Sequence, residues 1–102
     1  MPATTITADD IISRYADDIA YVAEQSPATD LGAFARQVER AAIRFSMAYV
    51  NGHEDVETAA TYLAEAQHAT DDTERTVFLR KANKLLTPVW DMKEEYREMV
   101  GD

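Results

Sequence analysis

The chain contains no cysteine. That excludes disulfides, thiolate metal sites and a cysteine nucleophile. Glycine and proline number only three each, and they fall almost entirely at predicted joints. No alternating run of β-branched residues exceeds a few positions, so strands are not expected. No apolar run approaches the roughly 20 residues that span a bilayer. The opening Met1-Pro-Ala-Thr-Thr-Ile-Thr lacks a basic region followed by an apolar one, which argues against a signal peptide. Residues 1–6 read as a disordered tail and 7–102 as one helical domain. With cysteine absent, a cytoplasmic location is expected.

Cations are also scarce. Ten Lys and Arg face nineteen Asp and Glu, for a net charge of −9. A bare nucleic-acid backbone is therefore not an expected ligand, because its binder needs cationic surface to release counterions. An anionic membrane is disfavoured for the same reason. Two explanations of the acidity stay open: solubility in a salt-adapted or high-GC organism, or an acidic face that docks on a basic partner.

Four helical segments are expected. Thr7 is a good N-cap for a helix over 8–25, with Asp10 at its N3 position. Ile11, Tyr15, Ile19 and Val22 make its apolar stripe. A second helix, 30–50, carries Leu31, Phe34, Val38, Ala42, Phe45 and Tyr49 at helical spacing, with Asn51-Gly52 expected to end it. Its opposite side reads Arg36, Arg40, Ile43, Met47, Val50, cationic then apolar, so its last turns are apolar nearly all round. A third, alanine-rich helix covers 54–69. Asp71 and Glu74 are placed to cap the fourth, 72–100. There Phe78, Ala82, Leu85, Val89, Met92, Tyr96 and Met99 form a heptad seam that keeps its phase past Pro88. Leu79, Leu86 and Trp90 make a second row. These features predict an all-α fold: a compact antiparallel four-helix bundle whose long C-terminal helix is kinked near Pro88, with a clean restart at Thr87-Pro88 as the alternative.

Chemistry is thinly represented. Glu65 and His68 have the Glu-x-x-His spacing that carboxylate bundles use for metal. One such motif stands where two are needed, unless a symmetric dimer supplies the second. The alternative is a solvated last turn in which His68 complements the helix end. His53 reads as a loop residue at a helix start. No serine lies in a glycine-rich elbow, and no phosphate loop is present. No catalytic residue and no cofactor are expected.

The expectation is thus a non-catalytic protein acting through protein–protein contact: an adaptor, regulator or inhibitor. A sharper version is a viral or mobile-element inhibitor whose acidic face mimics nucleic acid. The partner would carry a basic surface. Two alternatives are a ferritin-like metal bundle using Glu65 and His68, and a self-assembling subunit. A homodimer is expected, with Ile43, Met47, Val50, Trp90, Met92, Tyr96 and Met99 as interface residues.

Overall fold

The computed structural model describes residues 6–101. Five helices follow in order: α1 Ala8–Ala23, α2 Leu31–Met47, α3 His53–His68, α4 Asp72–Leu86 and α5 Val89–Met99. No strand occurs among the described residues. Among the described residues no helix is long and apolar enough to cross a membrane. Of the expected tail, residues 1–5 lie outside the described residues. Ile6, its last member, is buried in the core.

Short polar side chains start three of the helices. Thr7 Oγ1 accepts from Asp10 N at 3.1 Å while Thr7 N donates to Asp10 Oδ2 at 3.0 Å, a full capping box. Asp30 caps α2 through Ala33 N at 2.8 Å, and Asp71 caps α4 through Glu74 N at 2.7 Å. Each bond satisfies a backbone donor that the first turn leaves orphaned.

Helices α2, α3 and α4 pack side by side, with α3 in the middle. The residue pairs fix their directions. A Cβ on Gly32 would stand 2.5 Å from Gln67 Nε2, so the start of α2 meets the end of α3. Arg75 Nε donates to Ala66 O, and Phe78 stacks on Tyr62 with centroids 6.2 Å apart. Both neighbouring pairs are therefore antiparallel. Helix α3 is the central one, because Ala59, Ala60 and Ala66 let α2 and α4 approach from two sides.

Helix α1 does not turn straight back along α2. Its C-terminal end meets α2 well along its length: Arg40 Nε donates to Ala23 O at 2.9 Å. Gln37 Nε2 then donates to Ser26 O at 2.8 Å, so the connecting segment tracks back along α2 towards Asp30. Helix α5 lies beside α1 in the same sense. Lys93 Nζ contacts Asp18, and one turn on the Arg97 guanidinium lies 5.9 Å from the Tyr21 ring.

The C-terminal arm breaks at Thr87-Pro88, the alternative to a single kinked helix, but without the Thr87 cap that alternative expected. It is two helices, with Thr87 and Pro88 between them, and Thr87 Oγ1 donates back to Asn83 O rather than capping α5. Its buried line is also rotated before the proline. Leu79, Ala82 and Leu86 are buried, while Phe78 and Leu85 are only half-buried. After the proline Val89, Met92 and Tyr96 carry the line inward, as the heptad spacing has it. Phe45 meets Tyr96 edge-on at 5.7 Å and 88°, which locks α5 to α2.

Candidate functional site

Opposite Phe45, α2 turns a stripe outward. Phe45 is fully buried, so Ile43 and Met47 must face away; they are 56% and 75% exposed. One and two turns earlier the same stripe carries Arg40 and Arg36. Arg40 is tied to the end of α1, as above. Arg44 Nη1 pairs with Glu24 Oε2 at 2.5 Å. Arg36 makes no ion pair among the described residues. These side chains line a shallow groove of about 680 Å³ between α2 and the segment leaving α1. In its wall Gln37 is buried, and its Oε1 has no hydrogen-bond partner among the described residues.

The end of α2 extends this surface. Gly52 was expected to terminate the helix, but the terminating residue is Tyr49, at φ 60°. Val50 N donates to Phe45 O at 2.9 Å and Tyr49 N to Ser46 O at 3.0 Å, the two bonds of a Schellman cap. Gly52, at φ 92°, instead precedes the first turn of α3. The cap buries Val50 completely and holds the Tyr49 side chain in solvent at 86% exposure. Left-handed backbone costs a residue bearing a Cβ about 1 kcal/mol or more. The exposed Met99 and Val100 at the end of α5 line one cleft with Met47, Ala48 and Tyr49.

The result is one apolar end built by two helix termini. Ile43, Met47, Tyr49, Met99 and Val100 gather there around Arg44, which lines both clefts. Scattered apolar residues are ordinary on a surface; contiguous large ones mark docking faces.

The residues expected at an interface divide. Ile43, Met47 and Met99 lie on this end and are exposed. Val50, Met92 and Tyr96 lie inside the chain, because the α2 cap draws Val50 in and α5 turns Met92 and Tyr96 onto the core. Trp90 is half-exposed elsewhere on α5, with Lys93 Nζ 4.1 Å from its ring centre. Tyr49 and Val100 were missed: one reads as a core position at helical spacing, the other as a chain end.

Glu65 and His68 are both exposed on the last turns of α3. No group of three or more His, Asp or Glu side chains able to hold a metal comes together among the described residues. His53 is the first residue of α3, at the helix start where it was expected. The Asp10 carboxyl titrates below its ordinary value. Its carboxylate accepts from the Thr7 backbone and faces the Thr7 hydroxyl, which holds it below the usual carboxylate range. Comparison with family models, with curated proteins and with solved structures returned no match.

Proposed function

We propose that this protein is a non-catalytic interaction protein, an adaptor, regulator or inhibitor, that docks through the apolar end of α2 and α5. One observation carries the proposal: Ile43, Met47, Tyr49, Met99 and Val100 are all at least half exposed and adjoin one another. In water these side chains have nothing to gain from the chain's own core, and covering them releases hydration free energy of about 25 cal/mol per Å². The strained Tyr49 backbone supports the same conclusion, since it keeps an aromatic ring presented to solvent. Outside this end the acid load, with Glu54, Glu57 and Glu65 exposed on α3, supports a partner with a basic rim. The architecture that goes with this proposal treats α4 and α5 as one arm of a four-helix bundle, bent at Pro88 so that α5 reaches the end of α2.

The test is cross-linking of the full chain in extract of its native cells, with Met47→Glu beside the unaltered protein. Met47 is exposed, so the variant should keep its helical circular dichroism. Cross-links that map to Tyr49 or Met99 and disappear in the variant are expected. Cross-links unaffected by Met47→Glu, or none at this end, would overturn the proposal.

A further inference from the structure

We infer that a second copy of the chain docks on the outer face of α3 and α4, with α4 of each copy lying on α3 of the other. This face is separate from the apolar end of α2 and α5, so the pairing does not depend on what docks there.

Charge is segregated between these two helices. Residues 51–74 carry seven acids and no Lys or Arg, and residues 75–90 carry four Lys and Arg and no acid. On α3, Val56, Ala59, Ala60, Leu63 and Ala66 face the core, and Glu54, Glu57 and Glu65 stand exposed on the other side. On α4, Leu79, Ala82 and Leu86 face the core, and Val77, Arg80, Lys81 and Lys84 stand exposed. Lys81 Nζ lies 5.4 Å from the Tyr62 ring centre, so the cationic column borders the acidic one. Yet no ion pair joins α3 to α4 among the described residues, and Arg80, Lys81, Lys84, Glu54, Glu57 and Glu65 enter none there.

The register of α3 on α4 makes the face self-complementary. The helices are antiparallel, with Ala66 level with Arg75, and Tyr62 level with Phe78 and Lys81. The same count puts Glu57 level with Lys84. A half-turn about an axis parallel to both helices, above the groove between them, keeps every residue at its own level and exchanges the two columns. Lys84 then meets Glu57 of the second copy, with Glu54 about one turn beyond, and Arg80 lies about one turn from Glu65. Glu74, an exposed acid seven residues before Lys81 on the same stripe, comes level with His68 rather than with another acid. Arg36 and Glu39, one of each sign, border α3 on its α2 side and lie outside the pairing. An unrelated acidic protein would cover α4 and leave α3 unmatched, whereas a second copy satisfies both columns twice. With the α3 glutamates so covered, a basic rim on any other partner meets the exposed acids of α1 and α5.

Sedimentation velocity of the full chain across a concentration series tests the inference. The expected result is a reversible shift from one to two chain masses that weakens as salt rises. Lys84→Glu alone and Glu57→Lys alone should each weaken the dimer by about tenfold, with unchanged circular dichroism. An equimolar mixture of the two variants should regain it, because the heterodimer matches charge at both contacts. Met47→Glu should leave the dimer as it was. A monomer at every concentration overturns the inference, as does a dimer insensitive to Lys84→Glu or a mixture no tighter than either variant alone. A dimer abolished by Met47→Glu would put the second copy on the α2–α5 end and overturn it equally.

Discussion

Lys93 Nζ lies 2.6 Å from Asp18 Oδ1, and the pair joins α5 to α1 across most of the sequence. Both side chains are largely shielded, 13% and 20% exposed, and the Trp90 ring covers the ammonium at 4.1 Å. Removing one partner leaves the other charge poorly solvated. Asp18→Ala is expected to destabilise the fold by about 2 kcal/mol. The double variant Asp18→Ala with Lys93→Met should recover part of that loss. Urea midpoints of the unaltered chain and the two variants measure it.

The rotated packing of α4 separates neighbouring leucines. Leu86 is fully buried and Leu85 is half-buried. Leu86→Ala should cost about 2–5 kcal/mol, the range for a core leucine that leaves a cavity. Leu85→Ala should cost less than half as much. Equal losses in a denaturation series would mean that the heptad seam read from the sequence is the buried line after all.

Tyr49 holds a left-handed backbone that glycine adopts without strain. Tyr49→Gly is expected to raise the unfolding free energy by about 1 kcal/mol. The same change removes the most exposed ring of the docking face, so stability should rise while association weakens. Thermal melts and cross-linking in extract read the two effects separately.

The capping box sets the titration of Asp10. Its folded-state carboxyl sits below the ordinary value because the Thr7 backbone N–H and then the Thr7 hydroxyl favour the charged form. A lowered folded-state value contributes stability above the ordinary unfolded value, and that contribution disappears as pH falls through the folded one. Carboxyl-carbon NMR should place the Asp10 midpoint below those of exposed aspartates. In Thr7→Val the midpoint should rise but stay short of the ordinary value, because the Thr7 backbone N–H remains.

The helix starts at Thr7 and Asp71 were plain in the sequence, because a capping side chain with an acid three residues on is a local signal that needs no tertiary context. The outward stripe of Ile43 and Met47 was also plain, since Phe45 between them demands the opposite side. The phase of α4 was not. Phe78 and Leu79 are adjacent and apolar, as are Leu85 and Leu86, and both possible lines share Ala82. Only packing on α3 decides between them, through the stacking of Phe78 on Tyr62. The Schellman cap was hidden for a different reason. Nothing in Ala48-Tyr49 announces a positive φ, and Gly52 three residues on is the more conspicuous stop. Met92 and Tyr96 were assigned to a partner because α5 looked like the free end of a long helix, whereas the break at Thr87-Pro88 lets it pack against α1 and Phe45.

The pairing of α5 with α1 has a consequence for the order in which the molecule opens. Contacts among α1, α2, α3 and α4 mostly join consecutive helices, whereas α5 is held largely by the helix at the far end of the chain. Elements closed over long loops form late, and regions with few buried contacts open at low free energy. Slow-exchanging amides should therefore concentrate in α2 and α3 and be least protected in α5. Release of α5 alone would uncover Val89, Met92 and Tyr96 beside Met47 and Tyr49. The interior and the docking face would then become one continuous apolar surface, so that association and partial unfolding draw on the same side chains.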